Sequence, residues 1–222
     1  MTNPWRREIG AVFAKELAVE LRSKAGLMTA GLFGLSAVVA IAMASFNQNV
    51  SPTLAAGLIW VVLIFASAVA LPRAFLVEEE QATADLLRMI ARPHAVFWGK
   101  ALFNLAQMLV IGLVTSGLYL LFSARPTPQP GLFVLTIALG CAALAGTVTL
   151  CGALVAQAAN RASLAGAVSV PLLIPLAALG VAALRTALGD PGAGEQAAAG
   201  LAGYAAVTLA VGPHLYAAVW KG

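Results

Sequence analysis

Six long hydrophobic runs account for most of this 222-residue chain, and they leave little polar sequence between them. Only 10% of the residues are charged, whereas a soluble domain keeps roughly 25% charged residues to cover its surface. About 20 apolar residues are enough for a helix to cross the hydrocarbon core, so each run can form one span. The pattern therefore predicts an all-α integral membrane protein with six transmembrane helices, at 25–46, 54–76, 95–122, 131–157, 164–185 and 198–219.

The Lys and Arg residues predict the direction of these spans, because cytoplasmic loops accumulate basic residues. Eleven of the 13 lie before the first run, in or beside the second and fourth gaps, or after the last run: Arg6, Arg7, Lys15, Arg22, Lys24, Arg73, Arg88, Arg92, Lys100, Arg161 and Lys221. Only Arg125 and Arg185 lie near the alternate gaps. Both chain ends are therefore predicted to be cytoplasmic. The net charge of +4 is explained by this topology and does not indicate binding to nucleic acid.

Residues 5–24 are predicted to form an amphipathic helix ahead of the first span. Apolar residues recur in it at three- and four-residue steps: Trp5, Ile9, Val12, Phe13, Leu17 and Leu21. The other face is expected to carry the charged residues: Arg6, Arg7, Glu8, Lys15, Glu16, Glu20 and Arg22. We expect this helix to lie in the headgroup region of the bilayer, rather than to be a plain cytosolic extension, because it leads straight into a span. No room remains for a second soluble domain, so residues 1–222 are interpreted as one transmembrane domain.

Residues 78–92, between the second and third spans, are predicted to form a short cytoplasmic helix. Acidic residues cluster at its start and Arg88 and Arg92 at its end, which suits the helix macrodipole. Pro93 is expected to stop it. A narrow apolar stripe of Ala82, Leu86, Met89 and Ile90 could dock a cytosolic partner or rest on the membrane, and the spacing favours neither.

Two features inside the predicted spans are candidates for a functional role. Asn104 and Gln107, one helical turn apart in the third span, either hydrogen-bond to neighbouring helices or line a transport path. Pro171 and Pro175 in the fifth span each remove a backbone donor, so the helix is expected to kink or break there. Gly26, Ala30 and Gly34 in the first span are expected to let another helix approach closely.

Histidine and cysteine give little support for a metal or catalytic site. His94 and His214 would have to converge to ligate one haem iron, and we interpret His94 as interfacial and His214 as cavity-lining or bonded to a carbonyl. Cys141 and Cys151 would lie about 15 Å apart along one helix, which is too far for a disulfide. No metal site and no catalytic residue is predicted, and the chain has no GxxxxGK[ST] loop for ATP.

The pattern of Arg73, an acidic patch, Asp85-Leu86-Leu87, Pro93 and then Lys100 in the next span resembles the permeases of the ABC-2 class of ATP-binding-cassette transporters. More narrowly, the chain resembles the CcmB family. That family supplies the permease subunit of the haem-export system of cytochrome c maturation. The resemblance rests on the six-span layout, on the run from Gly57 to Val61, which is similar to the family's Gly-Ile-Ile-Trp motif, and on the paired prolines of Val170 to Pro175. The chain departs from the family in lacking a proline in the first span and in having Ala82 and Thr83 where a glycine is common.

The resemblance implies that the helix after the second span couples the chain to an ATPase subunit. The residues that would do so are Glu78, Glu79, Glu80, Asp85, Leu86, Leu87, Arg88, Met89 and Ile90. It also implies a bacterial inner-membrane location, two ATPase subunits that bind ATP, a second copy of the chain, a haem-handling membrane protein and a periplasmic haem chaperone. Haem would be a possible cargo and not a bound cofactor, and the chain itself would be no enzyme. The alternatives are an ABC-2 exporter of a lipid or drug, and a membrane scaffold without transport activity.

Overall fold

In a computed structural model of the protein, every regular element of the described residues is an α helix. The structure describes residues 4–45, 48, 50–70, 75, 78, 83–123, 126–155 and 161–220. The helices are α1 Pro4–Ser23, α2 Ala25–Ala44, α3 Pro52–Ala70, α4 Ala84–Ile90, α5 Pro93–Ser123, α6 Pro130–Val155, α7 Arg161–Ala187 and α8 Gly194–Val219. Six of them, α2, α3 and α5 to α8, are long and apolar enough to cross a membrane. The predicted all-α membrane fold with six spans is therefore confirmed.

Several helix boundaries differ from the prediction by a few residues. The helix expected over 78–92 is helical over α4 and at Glu78, while residues 79–82 lie outside the described part of the chain. α4 ends at Ile90 because the backbone at Ala91 is extended, with φ −129° and ψ 154°. Pro93 then serves as the first residue of α5, a position where its missing N–H is not needed. α7 already begins at Arg161, three residues before the predicted span 164–185, and α8 begins at Gly194, four residues before the predicted span 198–219.

α6 lies at the centre of the bundle and packs against α3, α5, α7 and α8. Glycines on and facing α6 make this possible, because they let partner side chains approach its backbone. A Cβ added at Gly140 would lie 2.7 Å from the ring of Trp60, and one at Gly146 would lie 2.5 Å from the Thr208 hydroxyl. A Cβ at Gly112 of α5 would lie 2.4 Å from the sulfur of Cys141. Three of these neighbours, α3, α5 and α8, are thus fitted to α6 through a missing side chain.

α2 packs on α5 through the small residues that the sequence predicted for this purpose. Gly26, Ala30 and Gly34 are all buried. A Cβ at Gly26 would come within 3.0 Å of the Gln107 amide nitrogen, and one at Gly34 within 2.9 Å of the Thr115 hydroxyl. The close approach predicted for the first span is therefore confirmed, and its partner is α5.

The bundle has two distinct ends. At one end, which we call the α1 end, α1 meets the beginning of α5 and the last turns of α6 and α8 around a small apolar core. At the opposite end, the Thr53 hydroxyl donates a 2.6 Å hydrogen bond to the Asp190 carboxylate. The backbone N–H of Gln129 donates to the Ala187 carbonyl at 3.3 Å. The first and last helices therefore reach the same end, as the alternating six-span prediction requires.

α7 continues through both of its prolines from Arg161 to Ala187, so the break considered for this span does not occur. The backbone around Pro171 and Pro175 gains a hydrogen bond from outside the helix. The Tyr204 hydroxyl of α8 donates to the Leu172 carbonyl at 2.7 Å. This contact joins α7 to α8 at the turn between the two prolines.

Candidate functional site

α1 lies along the first part of α5, and the two helices run in the same chain direction. Glu8 is paired with Arg92 at 3.6 Å, and eight residues further along both segments Glu16 is paired with Lys100 at 2.8 Å. Between these pairs Gly99 receives Val12, because a Cβ at this glycine would come within 2.6 Å of the valine side chain. One face of α1 is thereby fixed to the bundle over about two turns.

Among the residues that the structure describes, four charged side chains meet at this junction and form what we call the charge cluster, made of Lys15, Glu16, Glu78 and Lys100. The Lys100 ammonium donates to Glu16 at 2.8 Å and lies 3.0 Å from a Glu78 oxygen. Lys15 lies 2.9 Å from Glu16 and also donates to Glu78. Phe75 covers the Lys100 ammonium, with the ring centroid 4.8 Å from the nitrogen. Two positive and two negative charges thus balance one another at the meeting point of α1, α5 and the segment after α3.

Burial makes these ion pairs important for the structure. The Lys100 side chain is fully buried, and those of Glu16 and Glu78 are 8% and 12% exposed. Burial of Lys15 alone would lower its pKa, but the hydrogen bond to Glu78 and the charges of Glu16 and Glu78 outweigh that effect, so its pKa is raised. Removing one member would leave an uncompensated charge in a place with little water.

The acidic residues of α1 lie on a different face of the helix from the one that the sequence predicts. Glu8, Glu16 and Glu20 were expected on a polar face away from the apolar residues, but all three point toward the bundle. Besides the two ion pairs, Glu20 accepts a 2.6 Å hydrogen bond from the amide of Leu27 in the first turn of α2. Of the predicted apolar face, Val12 is buried, whereas the exposed members are Trp5, Leu17 and Leu21. The faces differ because α5 and α2 offer partners to the carboxylates, which the sequence of α1 does not reveal.

α4 has one packed side and one open side. Leu87 and Ala91 pack against the apolar core of the α1 end. That core consists of Val12, Phe75, Val96, Phe97, Ala101, Ala153 and Tyr216. On the open side the side chains of Leu86, Met89 and Ile90 are 60%, 84% and 73% exposed. The short helix therefore presents three apolar side chains on one side, while Leu87 on its other side contacts the core of the α1 end.

The remaining residues of the predicted coupling segment are distributed as follows. Glu78 lies in the charge cluster and not on the open side of α4. Glu79 and Glu80 lie outside the described residues, and Asp85 is described only in its backbone, within α4. Arg88 is partly buried and makes contacts of its own. The structure thus brings Glu78 and α4 to the same end of the bundle but gives them different surroundings.

Asn104 and Gln107 lie on α5 between other helices, and both are buried. The Asn104 amide donates to the Thr149 hydroxyl of α6 at 2.8 Å. The Gln107 amide nitrogen lies beside Gly26, on the side of α2 and Glu20. The two residues therefore face different neighbours, although they are one turn apart. A transport-path role for them stays a prediction, as does a role in turnover for Pro171 and Pro175, which lie in α7.

Glu16 and Lys100 were not identified as functional residues from the sequence. The available signal was Lys100 itself, because a lysine at the start of an apolar span needs an acidic partner. Glu8, Glu16 and Glu20 also repeat at multiples of four residues on the side of Val12, which is the spacing of one helix face. These two signals together point to α1 as the partner of the third span.

Comparisons with known proteins agree with this architecture. The CcmB protein family model matches residues 7–221 of the chain. The chain is also similar to Heme exporter protein B of Bradyrhizobium diazoefficiens, with 30% identity over 219 residues that cover 95% of this chain and 96% of the relative. The match extends from α1 to the last turn of α8, so it includes the charge cluster and α4. The chain belongs to the CcmB family.

Proposed function

We propose that this chain is the membrane permease subunit of a complex that exports haem for cytochrome c maturation. Membership in the CcmB family and the similarity to Heme exporter protein B support this proposal. Six apolar spans give a body that can cross the membrane, while no ATP-binding loop is present in the sequence. The energy would therefore come from a separate ATPase, and haem would be cargo and not a resident cofactor.

The coupling step is assigned to α4, and its open side is the single observation that carries this assignment. An isolated seven-residue helix has no reason to expose Leu86, Met89 and Ile90 to water, whereas a groove in a partner protein would cover them. Leu87 and Ala91 hold the opposite side of α4 in the α1-end core. A displacement of α4 by an ATPase would then be passed to that core.

The charge cluster would pass this displacement to the spans. Lys100 of α5 is bound both to Glu16 of α1 and to Glu78, which precedes α4. Since buried ion pairs break only at a high cost in free energy, the three segments would move together. In this mechanism α1, α4 and the beginning of α5 form one mechanical unit at the cytoplasmic face of a bacterial inner membrane.

The partners of the complex follow from the same proposal. Two ATPase subunits would bind two copies of this chain, one at each α4. A haem-handling membrane protein and a periplasmic haem chaperone would act on the far side. The lipid bilayer surrounds the spans, and no nucleic acid takes part.

The proposal is tested by replacing residues of α4 with serine on its two sides. Met89→Ser and Leu86→Ser remove apolar surface from the open side only, so the isolated subunit should melt at the wild-type temperature but lose most of its ATPase on affinity purification. Leu87→Ser is the matched control, since the same change on the packed side should lower the melting temperature. ATP hydrolysis in proteoliposomes should fall in parallel with ATPase retention.

The outcome also separates the alternatives. If Met89→Ser and Leu86→Ser retain the ATPase and its hydrolysis rate, α4 is not the coupling helix. If the wild-type subunit retains no ATPase from native membranes, a scaffold without transport activity is favoured. If ATPase is retained but haem delivery to the chaperone does not depend on ATP, the cargo is another hydrophobic molecule.

A further inference from the structure

The two histidines of the chain meet at the α1 end, although 120 positions separate them in the sequence. His94 is the second residue of α5, and His214 lies in the last turns of α8. Their ring centroids are 5.3 Å apart, with an angle of 73° between the ring planes. His94 is partly exposed and His214 is exposed, so both rings can be reached from outside the bundle.

The two rings are held by rigid parts of the fold. Gly212 sits directly on the ring of Phe97, since a Cβ at this glycine would lie 2.2 Å from the ring. Phe97 is fully buried and also packs on Tyr216, with centroids 6.1 Å apart. Phe97 lies one turn after His94, and Gly212 and Tyr216 flank His214. Such supporting packing fixes the backbones from which both imidazoles extend.

Within the described part of the chain, neither imidazole has a hydrogen-bond partner among the protein side chains or backbone groups. Their ring nitrogens are therefore available to an external ligand. Imidazole nitrogen is a preferred ligand of Zn²⁺, Ni²⁺ and Cu²⁺. In the same described residues no group of three His, Cys, Asp or Glu side chains comes together, so any metal here would complete its shell with water or an added ligand.

The spacing of the rings distinguishes two modes of metal binding. A metal–nitrogen bond of about 2.1 Å places the metal about 3.2 Å from the ring centre. Two rings at a tetrahedral angle would then have centroids about 5.2 Å apart, and two rings on opposite sides of a haem iron about 6.4 Å apart. The observed 5.3 Å corresponds to the tetrahedral case.

We propose that His94 and His214 form a two-imidazole binding site for a divalent transition-metal ion of the Zn²⁺, Ni²⁺ and Cu²⁺ group. The metal bridges the first turn of α5 and the last turns of α8. Metal binding by the isolated subunit does not depend on the proposed transport function. If that function holds, an occupied site restrains the segment that directly follows α4 and slows ATP-driven turnover.

The test uses the full chain in lipid nanodiscs, purified without a polyhistidine tag. Titration calorimetry with Zn²⁺ should give one ion per chain and a dissociation constant on the order of 10–100 μM, because only two protein ligands take part. His94→Asn and His214→Asn should each weaken binding at least tenfold. Cu²⁺ electron paramagnetic resonance should detect two imidazole nitrogens in the wild type and one in either variant.

Two further variants keep the interpretation specific. His214→Cys should retain Zn²⁺ binding because a thiolate is also a zinc ligand. A double Cys141→Ser and Cys151→Ser variant should bind as the wild type does. Unchanged affinity in His94→Asn or His214→Asn would overturn the proposal. So would a low-spin bis-imidazole haem spectrum that disappears in both histidine variants, since that spectrum requires the rings on opposite sides of the iron.

Discussion

Lys100→Met is the substitution that most directly tests the charge cluster. Methionine is similar in length to the aliphatic part of lysine, so the change removes the charge without opening a large cavity. Among the described residues, it would leave Lys15 as the remaining cation beside Glu16 and Glu78, and Lys15 is 41% exposed. Breaking a buried ion pair by removing one partner costs about 3–5 kcal/mol. In a chain of this size that corresponds to a loss of about 6–20 °C in melting temperature.

Glu16→Gln is the second single substitution, and together with Lys100→Met it forms a double-mutant cycle. This variant keeps the shape of the side chain and an oxygen that can accept from Lys100, and Lys100 keeps Glu78 at 3.0 Å. The expected loss is therefore smaller, about 1–3 kcal/mol. In the double variant, Lys15 and Glu78 still form a neutral pair. The loss of stability in the double variant should not exceed the loss in Lys100→Met alone. The two substitutions would then be coupled by about 1–3 kcal/mol.

The assay is thermal unfolding of the purified subunit in one mild detergent, followed by the loss of helical circular dichroism. Lys24→Met is the matched control, because Lys24 is exposed. Its backbone has a positive φ of 51°, and lysine and methionine carry the same conformational cost there. This control should melt within about 2 °C of the wild type. The reasoning is refuted if Lys100→Met melts with the control, or if the losses of the two single variants simply add.

Three further predictions concern a glycine contact, the titration of Lys15 and the paired prolines of α7. Gly180→Ala should lower the melting temperature, because its new Cβ would lie 1.9 Å from the ring of Trp60 and overpacking costs about 1–3 kcal/mol; an unchanged melting curve would contradict this packing. The raised pKa of Lys15 means that its contribution to stability is complete below the ordinary value of 10.5 and is lost as pH rises through the higher folded pKa. Melting curves between neutral pH and the alkaline limit should therefore show a decline that Lys15→Met lacks. Replacing both Pro171 and Pro175 with alanine should preserve assembly but slow ATP-driven turnover, and wild-type turnover would show that these prolines are incidental.

Much of this architecture could be predicted from the sequence because the bilayer restricts the choices. Backbone groups in hydrocarbon must be satisfied within each segment, so a long apolar run can only become a helix. The small residues Gly26, Ala30 and Gly34 likewise predicted a helix contact, since their spacing alone defines a narrow face. The sequence also indicated a kink or break at the paired prolines, whereas α7 is continuous, because the packing of α7 against α3, α6 and α8 exists only in the folded bundle.

The site was less accessible from the sequence, for a physical reason. The residues of α1 alone predict a polar face with its charged side chains in water. Whether Glu16 faces water or an ion-pair partner depends on Lys100 of α5, which lies 84 residues further along the chain. The same limit applies to Leu86 and Leu87, which are adjacent and chemically identical. Only the position of the α1-end core decides that Leu87 packs inward and Leu86 stays open.

The sequence by itself determined the number of spans, the common end of both termini and the family, because these depend on hydrophobic length, on charge between the runs and on motifs read along the chain. The tertiary structure alone decided that Glu16, Glu78 and Lys100 form one ion cluster and that His94 meets His214. Such contacts join residues that are far apart in the chain, and their free energy depends on distances and burial that exist only after the helices have packed.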